Sequence, residues 1–472
     1  MLRLVLAVSV PLFLFVHANG VAQPPIPPPG ATAWPFDEIT LSNGATYQGL
    51  ILSESPTEIL FQSVRRPPGK PSFTLTSKYS RHDVAVIKRL TDADRAILRE
   101  RLAELDLDGS GERRRMEALE LVPAAWLGKP AAARRYDSEH FILISDAPEE
   151  VARRGAVRLE QIYTAFARFL PPTVSEARPT TVMLAADQEG YRALLAPLGQ
   201  TNLLNPAVYD ARSNQIVCGT ELRRLGEELQ TAKLHHSQQI ATLERYEEGV
   251  RKLYKKPELD RYLGQAAGER RRVWTADLAN GKKFDATTAR LFAVLSHEAF
   301  HAYAGTFVYP PLPAEQVKAG KGTGELPRWL NEGLAQVFET AVVEAGEVRA
   351  DHADLKRLNQ VKDWLRAKNR SAGLVPLGEL LTAGRQAFLA HHAGQQAGAD
   401  RAYLTSWALA HALTFHWRVI GTPRFKEYLI AINTGADPRK AFEGLVGQSG
   451  DAFERDWHNY LLRLQPDGTV GK

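Results

Sequence analysis

Residues 297–301 read His-Glu-Ala-Phe-His, inside the run ARLFAVLSHEAFHAY that spans positions 289–303. No Gly or Pro interrupts the run, and Leu291, Phe292, Val294 and Leu295 give it the apolar content of a buried helix. An α-helix turns about 100° per residue, so positions i and i+4 stack on one face. His297 and His301 therefore present two imidazoles to one point, with Glu298 one step round the helix. Two helical histidines and an adjacent glutamate are the donors and the base of a hydrolytic zinc site. The plainer alternative is a pair of core-facing histidines beside a solvated glutamate.

The segment LPRWLNEGLAQVFET at 326–340 bears on that choice. Pro327 suits the first turn of a helix, and Trp329, Leu330, Leu334, Val337 and Phe338 supply a core face. Glu332 and Glu339, seven residues apart, project from the same side. A catalytic zinc takes three protein ligands and keeps a fourth position open, and His₂Glu is one such set. Glu332 is the expected third ligand to Zn2+. Glu339 is either an acceptor behind a ligand histidine, fixing its tautomer, or an exposed helix glutamate.

HEAFH followed by WLNEGLAQVFE resembles the gluzincin metallopeptidases, whose HExxH and downstream NExxA helices carry the zinc ligands. The resemblance implies His297, His301 and Glu332 as metal ligands and Glu298 as base. Asn331 and Ala335 complete NExxA, with Asn331 and Glu339 behind the ligands. Residues 403–413, YLTSWALAHAL, are similar to the tyrosine-bearing helix of M1-type gluzincins, which implies Tyr403 as an oxyanion donor. His411, His416 and Tyr428 are rivals for that role. The M1 aminopeptidases place their third ligand nearer the second histidine; here 31 residues separate His301 from Glu332, and the intervening loop carries Gly320, Gly322 and Gly324. The Gly-x-Met-Glu-Asn run that reads a free amino terminus is not found. Both departures favour internal cleavage.

A closer resemblance, over residues 138–464, is to exported peptidase-MA-like proteins. EHFILISD (139–146), the helix 151–170, TTVMLAA (180–186) and YDARSNQIVCG (209–219) match that family's opening strands and helix, and FERDWHNYL (453–461) its closing helix. The implied domain, 138–472, is mainly helical with a small N-terminal sheet, of class α+β.

A chain of 472 residues, 44% hydrophobic, can form two or three domains. Residues 1–22 open with Arg3, continue through an apolar run broken by Pro11 and end among Ala18, Gly20 and Ala22. They read as a secretory signal peptide, so the protein is expected in the periplasm, cell envelope or medium, with no integral membrane segment after cleavage. The single Cys218 excludes an intrachain disulfide framework and is expected as a small buried hydrophobe. The net charge of +5 is spread among acids without a Lys/Arg patch interleaved with aromatics, so no nucleic-acid partner is implied.

Residues 23–36 form a Pro-rich linker. Between 37 and 90, short β-forming runs at 39–41, 47–51, 59–61, 73–77 and 84–87, with Asn43-Gly44 as a hairpin turn, predict a small SH3- or Sm-like β-barrel. Residues 91–137 read as a helix and a linker. Within them DLDGSGERRRME sets Asp106, Asp108, Ser110, Gly111 and Glu117 at calcium-loop spacing, but Arg113, Arg114 and Arg115 fit a charged Gly-rich linker better. From 221 to 254, Leu222, Leu225, Leu229, Ala232, His236, Gln239, Leu243, Tyr246, Val250 and Leu253 keep a 3,4 spacing. They predict a coiled-coil insertion over 221–273, with a shorter helix folding back after Pro257. This arm either packs on its own domain or mediates self-association. His235 and His236 are expected in solvent, and His391 and His392 in an Ala/Gly-rich loop.

The expected function is a gluzincin-type zinc metallopeptidase. It would hydrolyse internal bonds of a peptide or protein substrate by glutamate-assisted attack of water, with the substrate chain added to an edge strand at 209–218. The alternative is a cell-envelope binding or scaffold protein whose zinc site is structural or silent. The intact Glu298 favours the enzyme.

Overall fold

The computed structural model describes residues 34–471 without 108, 175–176, 200–204, 310–311, 313, 320–323, 346, 350–351, 368–372 and 389–392. The expected signal peptide, most of the Pro-rich linker, and His391 and His392 lie outside the described residues.

Asn43-Gly44, with Gly44 at φ 84°, turns the chain between β1 (Asp37–Leu41) and β2 (Thr46–Glu54). With β3 (Glu58–Arg65), β4 (Phe73–Ser80) and β5 (Val84–Lys88) they form an antiparallel sheet in the order β4-β3-β2-β1-β5. Among the described residues no ladder joins β4 to β5, so the expected closed barrel is replaced by an open sheet. The physical reason is that both faces already have cover. Ile39, Ile59, Phe61 and Val84 bury one cluster, while Leu50 and Val64 pack with Trp34 and with Leu98 of helix α1 (Asp92–Glu104) in another.

The calcium-loop spacing resolves into a helix start. Asp106 accepts the backbone N–H groups of Gly111 (2.6 Å) and Glu112 and pairs with Arg115, at the N-terminus of α2 (Ser110–Ala118). Asp108 lies outside the described residues.

The second sheet begins earlier than the expected boundary at 138. Strands β6 (Val122–Trp126) and β7 (Lys129–Asp137) form a hairpin whose turn, Leu127-Gly128, has both residues at positive φ (47° and 80°). Their Ala- and Arg-rich sequence hides them from a β-propensity reading. They join β8 (Phe141–Ser145), β9 (Thr180–Ala185), β10 (Ala207–Asp210) and β11 (Gln215–Gly219) in the order β10-β11-β9-β8-β7-β6, with β8, β9 and β11 parallel. Residues 209–219 thus fall in a hairpin of which β10 is an edge strand and β11 an inner one. The expected edge strand 209–218 is corrected accordingly, since Cys218 lies inside on β11 and is fully buried. Helix α3 (Glu149–Phe169) crosses between β8 and β9, and α4 (Gln188–Leu195) follows β9.

Helix α5 (Leu222–Leu253) runs out as an arm, and α6 (Glu258–Tyr303) returns along it. The return helix is longer than expected, not shorter. Its 46 residues, about 70 Å at the helical rise, continue without a break into HEAFH. Gly281 lies buried within this helix, where an added Cβ would meet the Arg154 guanidinium at 3.4 Å. The predicted seam is buried against α6 at Leu225, Leu229 and Val250, so the arm packs on its own chain. His236 is not solvated; its Nδ1 pairs with Asp277 inside the seam.

After α7 (Ala314–Lys318) comes α8 (Arg328–Glu339), then a hairpin of β12 (Val342–Glu344) and β13 (Glu347–Arg349). The rest is helical: α9 (Leu355–Arg366), α10 (Leu377–Leu380), α11 (Ala393–His411), α12 (Pro423–Asn433), α13 (Pro438–Val446) and α14 (Gly450–Arg463). The β12–β13 hairpin holds the N-terminal sheet through buried charge. Arg349 donates to Glu344 (2.6 Å), Ser72 (3.2 Å) and the carbonyls of Pro67 and Lys70. Among the described residues helix outweighs strand, 57% to 19%, in largely separate stretches, which makes the class α+β. Among the described residues no helix is long and apolar enough to cross a membrane.

Candidate metal centre

The site is assembled by two helices held in register on their far sides. Phe300, inside HEAFH, stacks on Phe338 of α8 at 4.9 Å, and Phe166 of α3 meets both rings edge-on. Gly333 lets α8 lie against α11, since a Cβ there would sit 2.4 Å from the Ser406 carbonyl oxygen. With the apolar faces fixed, the polar faces converge.

His297 Nε2 and His301 Nε2 are 3.1 Å apart, and each lies 3.5 Å from Glu332 Oε2. Glu332 is 2% exposed. Ligands about 2.0–2.1 Å from a tetrahedral zinc are about 3.4 Å apart along each edge, so this triangle fits the ion without rearrangement. The donor chemistry fits as well. His301 Nδ1 lies 3.0 Å from Asn331 Oδ1, an acceptor, and His297 Nδ1 lies 3.5 Å from Glu339 Oε2. Asn331 holds the His301 ring proton on Nδ1 and turns its Nε2 lone pair inward, and Glu339 orients a neutral His297 the same way. Three electron-rich atoms then face one another, an arrangement that calls for a cation between them.

Electrostatics agree. Burial opposes a charged His297, yet hydrogen bonds to Glu332 and Glu339 outweigh it and hold its pKa up at about 10. Burial likewise resists the charge of Glu332, but His301, His297 and Arg328 keep that carboxyl well below the usual range. Glu339 is also lowered against burial, by His297 and by Arg357, whose guanidinium donates to it at 2.8 Å. All three shifts favour positive charge at the point where the donors meet.

Glu298 stands outside the triangle. Its Oε2 accepts the backbone N–H of Tyr209, on edge strand β10, at 3.0 Å. Hairpin β10–β11 is pinned in turn by Asn214, whose Oδ1 accepts the hydroxyls of Thr180 (3.0 Å), Tyr209 (3.2 Å) and Thr306 (3.3 Å). Thr306 belongs to the π-helical turn Ala304–Val308 that ends the HEAFH helix. The sheet edge and the base are therefore tied to one another.

Tyr403 lies in the interior of α11, not at its start. Burial together with the charge of Glu332 pushes the pKa of its hydroxyl up to about 12 against the opposing influence of Arg328, so it is a neutral phenol. The field of Glu298 also reaches it. The three rivals lie elsewhere. His411 packs on Trp407 and Phe415, His416 stacks on Tyr460, and Tyr428 is buried beside Trp329 and Phe442.

Three groups at the site escaped the sequence reading. Arg328 could have been found as the residue four before Glu332, one turn back on the same face. Arg357 comes from α9, beyond the hairpin, and has no local signal. Nor does the Tyr209 backbone amide.

His411 provides a pH test of the core around these helices. Burial holds its pKa down at about 4, so the folded protein resists the proton that the unfolded chain accepts near pH 6.5. Its contribution to stability is present above the unfolded pKa and lost as pH falls towards the folded one. Between about pH 7.5 and about pH 5, the wild type should lose roughly 2 kcal/mol more than His411→Leu. Denaturant unfolding of both proteins at the two pH values measures this; parallel losses would show that His411 does not titrate in that window.

Comparison with family models, with curated proteins and with solved structures gave no significant match.

Proposed function

We propose that the protein is an exported zinc-dependent peptidase of gluzincin type that cleaves internal peptide bonds. The observation that carries this reading is the inward convergence of His297 Nε2, His301 Nε2 and Glu332 Oε2 beside a carboxylate, Glu298, that is not part of the triangle. A purely structural site has no need of such a neighbour.

His297, His301 and Glu332 would hold the ion, and the chemistry zinc supplies in such a site is polarisation of a carbonyl and acidification of water. Glu298 takes a proton from the attacking water and returns it to the departing amine as the C–N bond breaks. The Tyr209 N–H holds the Glu298 carboxylate in place for both transfers. Tyr403, kept neutral, donates to the oxygen on which charge develops. An extended substrate pairs along β10, the sheet edge beside Glu298. The sequence of residues 1–22 supports export.

An unbiased peptide library, offered to the zinc-loaded protein with free or acetylated amino termini, tests the reading. Internal cuts that survive acetylation are expected. Cleavage restricted to free amino termini would return the protein to the aminopeptidases, and no cleavage at all would favour the scaffold alternative.

Tyr403→Phe keeps the ring and its edge contact with Phe388. Zinc content should hold while kcat and kcat/KM fall together by roughly 10²–10³, the cost of losing one oxyanion donor. Steady-state kinetics with metal analysis decides it; unchanged kinetics would remove Tyr403 from the mechanism.

A further inference from the structure

We propose that Asn214 is a positioning residue for Glu298: it holds Tyr209 by its phenol so that the Tyr209 amide holds the carboxylate of the base. This rests on the peptidase reading above and deepens it.

The contacts form a closed circuit. Glu298 Oε2 accepts the Tyr209 N–H at 3.0 Å. The other end of the same residue, its phenol, donates to Asn214 Oδ1 at 3.2 Å. Thr306, about two turns beyond Glu298 on the same helical run, donates to that oxygen at 3.3 Å. It sits in the π-helical turn that the Tyr309 N–H closes onto the Ala304 carbonyl at 2.7 Å. Asn214 therefore joins the edge strand to the helix that carries the base. Strand β10 has a sheet neighbour on one side only, so the ladder alone does not fix its height over Glu298. A displacement of about 1 Å caused by a change away from the chemistry can cost about 10²-fold in rate.

The residue type matters. Asn214 Nδ2 donates to the Arg178 carbonyl at 3.1 Å, and a carbonyl only accepts, so the amide nitrogen faces Arg178 and the oxygen faces the hydroxyls. The same oxygen takes the hydroxyl of Thr180, a fully buried residue at the start of β9, at 3.0 Å. Asn214 stands at φ 49°, in the left-handed region that asparagine enters more readily than most side chains. The turn before it is held separately by Asp210, which accepts the Ser213 N–H at 3.1 Å and its hydroxyl at 2.6 Å. Asn214→Gly therefore keeps the backbone conformation and the turn and removes only the amide.

The experiment uses the full chain and two readouts, with zinc content measured in every variant and expected to hold. The first is hydrogen exchange over residues 206–212, read by mass spectrometry in the metal-free protein. Asn214→Gly should speed exchange there roughly tenfold or more while helix α3 keeps its protection. Asn214→Asp, which keeps the acceptor and tolerates the same φ, should restore most of it. The second is steady-state cleavage by the zinc-loaded protein. Asn214→Gly should lower kcat about tenfold with KM within about threefold, but by less than about threefold once Glu298 is Gln, since a base that is gone cannot be misplaced. A merely structural role would lower both backgrounds alike. Unchanged exchange over 206–212, or equal kinetic losses in both backgrounds, would overturn the proposal. Failure of the peptidase reading looks different: the wild type cleaves no peptide, while exchange and its rescue by Asn214→Asp decide the positioning on their own.

Discussion

Glu298→Gln should leave zinc fully bound and lower kcat by roughly 10²–10⁴-fold, the usual contribution of a positioned general base. The separation of the two readouts follows from geometry. Glu298 is absent from the converging triangle, so the ion loses no ligand. Glutamine is the same size and keeps a carbonyl oxygen to accept the Tyr209 N–H, so the edge strand stays where it is. What disappears is a group able to take and return a proton. Elemental analysis and single-turnover cleavage of a peptide measure the two halves. Wild-type cleavage in this variant would end the assignment of Glu298 as base, and loss of zinc would mean that it is a ligand after all.

Removing a ligand should do the reverse. Glu332→Ala and His301→Ala leave two protein donors, and zinc affinity should fall by more than the roughly 10–100-fold that outer partners typically account for. Glu339→Gln and Asn331→Ala should fall within that smaller range, since they act only through the Nδ1 protons of His297 and His301. The order expected in a chelator-competition titration is therefore wild type, then the outer pair, then the ligands. Full zinc in Glu332→Ala would sink the His₂Glu assignment; equal losses across all four variants would show that the helices, not the donors, had been damaged.

Much of the site was legible because its signals are local. HEAFH places His297, Glu298 and His301 by helical geometry alone, and the seven-residue spacing of Glu332 and Glu339 puts both on one side of α8. Of the three donors Glu332 is buried, while His297 and His301 are partly exposed. The hidden parts are those that come from other elements. Arg357 reaches Glu339 from across the β12–β13 hairpin, and the Tyr209 amide reaches Glu298 from a sheet edge 89 residues earlier in the chain. A backbone N–H carries no side-chain signature at all.

The same distinction runs through the fold. The 3,4 pattern of Leu222, Leu225 and Leu229 announced a helical arm, because amphipathic period is a property of the segment itself. It could not announce that the returning helix and the HEAFH helix are one. Gly281 lies buried inside that single helix. The β-runs of residues 37–90 were likewise readable, but whether their sheet curls shut depends on what else covers its faces. Here Trp34 and Leu98, just outside the strands in sequence, supply that cover together with Ala345, which reaches the same cluster from far down the chain beside the Arg349–Glu344 pair. The sequence alone determined that His297 and His301 share one helix face, that Glu332 and Glu339 share another, and that residues 222–253 are helical, since these follow from spacing along one backbone. Only the tertiary structure decided which atoms meet, because burial, charge pairing and close approach are settled between segments that no local period connects.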